Sequence, residues 1–112
     1  MTSDFSSFDA LGIADILINR LSELGIDEPT PIQKQAIPAL LSGQDLMGLA
    51  QTGTGKTAAY LLPLIQKLSE EKGGKLPRLP RVLVLAPTRE LAHQVSVSLR
   101  DFSRGITLRY VT

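Results

Sequence analysis

The run Ala50-Gln51-Thr52-Gly53-Thr54-Gly55-Lys56-Thr57 constrains this chain more than any other segment. It joins a short, mostly apolar stretch, Asp45–Ala50, to a stretch with helical spacing marked by Leu61, Leu64, Ile65 and Leu68. Glycines and a lysine between a strand and a helix point to the binding of a polyphosphate. Gly53 and Gly55 are free to take positive φ, which lets the main chain approach a ligand closely. Backbone N–H groups then converge on one point, and the helix beginning near Gly55 adds its positive dipole end. Lys56 supplies a flexible cation for β- and γ-phosphates. The Thr57 hydroxyl is a hard oxygen of the kind that Mg²⁺ takes.

The surrounding pattern supplies the context this turn needs. After residue 44 the order reads strand, helix, strand, helix, strand: Asp45–Ala50, Thr57–Leu68 with a kink at Pro63, Arg81–Ala86, Thr88–Phe102 and Ile106–Val111. Such alternation predicts an α/β fold, an open parallel sheet with flanking helices and right-handed crossovers. The run Val82-Leu83-Val84-Leu85 reads as a strand covered on both faces. Helix 88–102 is expected to bury Leu91, Val95, Leu99 and Phe102, leaving His93 on its polar side. Residues 71–80 hold two Gly, two Pro and three basic residues and read as an exposed loop. Ligands of an open parallel sheet sit at the carboxyl ends of its strands, here Ala50–Thr57 and Pro87–Arg89. Residues 50–57 fit the P-loop pattern, with Ala50 at the first glycine position.

Residues 1–44 are expected to form a helical segment ahead of the sheet domain of residues 45–112. Ile13, Ile16, Leu17, Leu21 and Leu24 fall at helical spacing, and Gly25 stands where a helix C-cap belongs. Thr30 is placed to cap a second helix with Pro31 at its first position. That helix runs through Ala36, and Pro38 restarts or kinks it before Leu41. Ser42-Gly43-Gln44 reads as a turn.

Composition removes several function classes. With no cysteine, the chain has no disulfide, no thiolate metal site and no cysteine nucleophile. Its longest apolar stretches, Ala58–Leu62 and Val82–Ala86, fall far short of the ~20 residues that cross a bilayer. The first ten residues carry Asp4 and Asp9 and no basic residue, so no leader is visible and a cytoplasmic address is expected. Residues 1–55 hold two basic residues against seven acidic ones; residues 56–112 hold ten against four. The basic half suits phosphates, and a solvated mixed surface is the plainer alternative.

Three elements together resemble the DEAD-box RNA helicases of superfamily 2, with a finer look of the bacterial members. Gly25-Ile26-Asp27-Glu28-Pro29-Thr30-Pro31-Ile32-Gln33 is similar to that family's Q motif, and Phe8 stands upstream where the family places an isolated aromatic. Ala50–Thr57 resembles its motif I, and Pro87-Thr88-Arg89-Glu90-Leu91 its motif Ia. The resemblance implies the N-terminal part of the first RecA-like domain of an ATP-dependent RNA helicase, using ATP and Mg²⁺. It implies nucleotide contacts from Phe8, Thr30, Gln33, Gln51, Thr52, Gly53, Thr54, Gly55, Lys56 and Thr57, with Lys56 catalytic and Thr57 the metal ligand. Thr88 and Arg89 would hold the RNA backbone without reading sequence.

Side-chain chemistry leaves some of these roles open. The Gln33 amide matches the N7 acceptor and N6 donor of adenine. Thr30-Pro31-Ile32-Gln33 is equally a capping box, which would occupy that amide in its own helix. Phe8 suits base stacking or a place in the core. Thr88 is a natural N-cap as well as a phosphate donor. The family's Asp-Glu-Ala-Asp and Ser-Ala-Thr elements and its second RecA-like domain do not occur in these residues. The expectation is therefore an incomplete domain, prone to self-association through exposed strand edges, binding nucleotide weakly and turning over essentially nothing alone. Two other readings stay open: a P-loop motor acting on DNA, and a non-catalytic module that binds nucleotide or a protein partner.

Overall fold

The computed structural model describes residues 7–49, 55–70 and 81–112. They form four helices: α1 (Asp15–Glu23), α2 (Pro31–Leu41), α3 (Lys56–Glu70) and α4 (Arg89–Phe102). The expected loop at 71–80 lies outside the described residues.

Local chemistry explains the ends of these helices. Leu24 and Gly25 close α1; Gly25 takes φ of 80°. Ile26 N–H donates to the Leu21 carbonyl at 2.8 Å and Gly25 N–H to Ser22 at 3.0 Å. Those two bonds make a Schellman ending, with Ile26 packed against the core. Gly43 ends α2 in the same manner, with Gln44 N–H on the Ala39 carbonyl at 3.0 Å. Thr30 caps α2, and Pro38 neither restarts nor ends that helix, which continues to Leu41. α3 likewise passes through Pro63 to Glu70, two residues beyond the expected Leu68.

The core gathers around α3. Leu61, Leu62 and Ile65 are fully buried together with Leu17 and Leu21 of α1 and Ile37 of α2. Phe8, Leu11 and Ile13 wrap over the same cluster, and Phe102 closes it from the last turn of α4. Each such side chain contributes about 1.5–3 kcal/mol on burial. The period of α1 is partly misread in the sequence, for Ile13 is buried ahead of the helix while Ile16 is half exposed. α4 buries only Phe102 fully; Leu91 stands 40% exposed, and Val95 and Leu99 pack partly against the core.

A buried amide fastens the N-terminal wrap. Gln66 of α3 accepts from Ala14 N–H at 2.7 Å and donates to the Gly12 carbonyl at 2.8 Å. One side chain thus satisfies two main-chain groups more than fifty positions away in sequence. Gln66→Leu would take this partner from both groups in a part-buried setting, for an expected loss of about 1–2 kcal/mol. Urea unfolding measures it; an unchanged midpoint would show that the clamp adds nothing.

Among the described residues no strand is formed over 45–49, 82–86 or 106–111, so the expected parallel sheet is not confirmed by them. Side-chain exposure still alternates: Val82 and Val84 are 37% and 41% exposed, Leu83 and Leu85 79% and 84%. That two-residue period is the one of an extended chain. Residues 82–85 are all exposed, so the expectation that this run is covered on both faces is not met among the described residues. Leu49 and Val111, at 91% and 96%, stand open in the same way.

Candidate functional site

The site forms where the N-termini of α2 and α3 meet. Thr30 Oγ1 accepts from Gln33 N–H at 3.4 Å, while Gln33 Oε1 accepts from Thr30 N–H at 2.9 Å. This is the full capping box, so that reading of Gln33 holds. The other arm of the amide leaves the helix. Gln33 Nε2 donates to the Gly55 carbonyl at 3.2 Å, joining residues 22 positions apart. Gly55 is the residue before α3, and its carbonyl also accepts from Ala59 N–H at 3.1 Å, the first bond of that helix. The end of the glycine-rich turn is thus fixed by a side chain from α2.

Gly55 is required here for two reasons. Its φ of 84° disfavours any side chain. A Cβ at this position would also collide with Gln33 Nε2 and lie 3.1 Å from Thr30 Oγ1. The tightness comes from the same contact that positions the turn. Gln33 is 3% exposed, yet its amide keeps one hydrogen on Nε2 and one lone pair on Oε1. An adenine edge needs that pair of groups.

Lys56 opens α3 and is exposed; Thr57 follows and is half-buried. Helix N–H groups, a lysine and a threonine hydroxyl share one end of the helix. That donor set suits a polyphosphate, and the hydroxyl oxygen suits a magnesium ion beside it. No group of three His, Asp or Glu that could cage a metal occurs among the described residues. Tyr60, one turn along, hydrogen-bonds Thr57; burial nevertheless raises its hydroxyl pKa above the ordinary value, so it stays protonated at neutral pH. Sequence reading passed over Tyr60, although the i, i+3 spacing to Thr57 was visible.

A cleft of about 400 Å³ runs from Lys56 and Thr57 past Pro87 toward α4. Its floor, with Ala36, Leu91 and Val95, is apolar, so only the Lys56 end carries anion-binding chemistry. At the start of α4, the Thr88 hydroxyl oxygen accepts from Leu91 N–H at 3.1 Å. The N-cap reading holds, and the hydroxyl hydrogen and the first N–H groups of α4 remain directed off the helix end. Arg89 is exposed beside them, as is His93 further along.

Two groups of expected site residues are placed differently or not at all. Phe8 is 3% exposed inside the core cluster, where it packs as the core reading expects. Gln51, Thr52, Gly53 and Thr54 lie outside the described residues. The structure brings Thr30, Gln33, Gly55, Lys56 and Thr57 together. Thr88 and Arg89 stand at a separate helix end.

Comparison with known proteins follows this geometry. Residues 30–112 match the family model described as DEAD/DEAH box helicase. The chain is 48% identical over 99 residues to the ATP-dependent RNA helicase DeaD of Escherichia coli K12, covering 88% of this chain and 15% of that protein. The RNA helicase Prp28 of Chaetomium thermophilum, solved with bound ADP, superposes over 100% of this chain and 28% of its own. Its TM-score is 0.84 at 40% identity. A DEAD box protein of Methanococcus jannaschii superposes with a TM-score of 0.81 at 32% identity, covering 93% of this chain and 27% of that one. The chain thus spans well under a third of the length of each of these proteins.

Proposed function

The chain belongs to the DEAD/DEAH box helicase family, as the N-terminal part of the first RecA-like domain, and from that premise we propose that it forms the ATP-binding edge of an RNA-dependent ATPase that separates short RNA duplexes. The observation that carries this reading is the bond from Gln33 to the Gly55 carbonyl. It places an amide with adenine-reading chemistry directly against the turn that holds phosphates.

In this reading the α3 N-terminus takes the α- and β-phosphates on its N–H groups. Lys56 counters the charge that grows on the β–γ bridge as the γ-phosphoryl group departs. Thr57 would hold Mg²⁺ through its hydroxyl oxygen, and the ion would supply neutralisation of phosphate charge. Gln33 turns its remaining donor and acceptor to the purine edge. Guanine carries an acceptor where adenine carries the N6 donor, so ATP is favoured over GTP. Gln51 to Thr54 complete the phosphate cradle, as the family resemblance implies. Thr88 and Arg89 seat an RNA phosphate at the other helix end, positioning the strand without reading bases.

The open faces of 45–49, 81–86 and 106–111 are the places a parallel sheet would take in the complete domain. These 112 residues supply one side of the γ-phosphate, so turnover requires elements beyond them. A cytoplasmic setting remains part of the proposal.

The test is nucleotide choice. Gln33→Ala in the intact protein should lower the preference for ATP over GTP by roughly tenfold, the discrimination of one bidentate amide pair. Binding of fluorescent ATP and GTP analogues reads it. An unchanged ratio alongside a lowered melting temperature would leave Gln33 as a capping residue only.

A further inference from the structure

α4 is held chiefly at one end. Its last turn contributes the one fully buried side chain of the helix, Phe102, and Ser103 just beyond it is buried too. Its first turn is exposed from Thr88 to Leu91. The hold on the buried end is supplemented from an unexpected source. Arg20, in the last turn of α1, donates from Nε to the main-chain carbonyl of Asp101. Its Nη1 reaches Glu23 Oε2 at 3.1 Å, and the Arg20 side chain is only 11% exposed. A part-buried guanidinium therefore sits on the carbonyl end of α4, 81 positions away in sequence. A cation at that end complements the helix dipole and satisfies a carbonyl that has no partner within the helix.

We propose that Arg20 is a positioning residue for RNA. It pins the carbonyl end of α4 and thereby fixes the direction in which the opposite end presents Thr88 and Arg89. The lever is rigid: the 14 residues from Arg89 to Phe102 span about 20 Å of helix at ~1.5 Å per residue. A small tilt about Phe102 becomes a shift of an ångström or more at Thr88. Among the described residues, Arg20 has its hydrogen bonds to Asp101 and Glu23 and none to a nucleotide-site residue, and Gln33 of α2 holds the start of α3 independently. This inference rests on the reading that the start of α4 contacts RNA.

The experiment uses the intact protein and a fluorescein-labelled oligouridine, with a non-hydrolysable ATP analogue present. Arg20→Gln removes the charge and leaves a shorter polar side chain; Arg20→Lys restores the charge and most of the length. Arg20→Gln should weaken oligouridine binding by roughly tenfold, the upper part of the range for residues acting at a distance. Fluorescent ADP affinity should stay within twofold, and Arg20→Lys should recover most of the loss. Arg89→Ala serves as the reference. If Arg89→Ala weakens oligouridine binding and Arg20→Gln does not, the lever is refuted while RNA contact at α4 stands. If Arg20→Gln lowers RNA and ADP affinity together, Arg20 is merely structural and the lever is again refuted. If Arg89→Ala leaves oligouridine binding unchanged, RNA does not bind at this helix end and the reading beneath the lever fails.

Discussion

Lys56→Ala in the intact protein should reduce RNA-stimulated ATP turnover by about a thousandfold and leave the melting temperature unchanged. The two halves of this result have separate causes. Lys56 is exposed at the first position of α3 and has no part in the buried cluster. Truncating an exposed side chain changes stability by about 0.5 kcal/mol or less. Catalysis is another matter, because phosphoryl transfer depends on charge stabilisation by groups already in position. Removing one such group costs about 3–4 kcal/mol of barrier, and the helix N-terminus cannot replace a full positive charge. Phosphate release measured at saturating RNA checks the prediction. Turnover within tenfold of the parent would remove Lys56 from the reaction.

Gly55→Ala should produce the largest loss of stability among single substitutions at the site, about 3 kcal/mol. Part comes from the backbone, since φ of 84° costs a residue with a Cβ about 1–2 kcal/mol. The remainder comes from the collision with Gln33 Nε2, whose displacement also breaks the bond to the Gly55 carbonyl. The two contributions are separable. In a Gln33→Ala background the collision with the amide is gone, so Gly55→Ala should cost about 1–2 kcal/mol less than in the parent. Urea denaturation of the four proteins completes the cycle. Strict additivity would mean that Gln33 and Gly55 do not touch in solution.

What the sequence made legible follows from the range of the forces involved. Helix ends were readable because caps act over a few residues: Thr30, Gln33, Gly25 and Thr88 perform the local roles their types suggest. The glycine-rich turn is described only at its end, Gly55, where the positive φ that its type allows is present. Phe8 was harder, since an aromatic ring serves a core or a base equally well; its 3% exposure puts it in the core cluster. An apolar run such as Val82–Leu85 records the need for neighbours, not their position, and the expected sheet is not confirmed among the described residues. Gln66 and Arg20 were invisible for the same reason. Their partners lie 52 to 81 positions away, and no local pattern announces such contacts.

The buried cluster is built from helices and the N-terminal wrap, and its last member is Phe102. This gives synthesis a natural order. By the time residue 102 clears the ribosome, every side chain needed to close that interior has already emerged, at ~5–20 residues per second. The helical wall can consolidate first, while Val82, Leu83, Val84 and Leu85 still stand exposed. Nascent chains arrested shortly after Phe102 should therefore resist protease through α3 sooner than through 81–86.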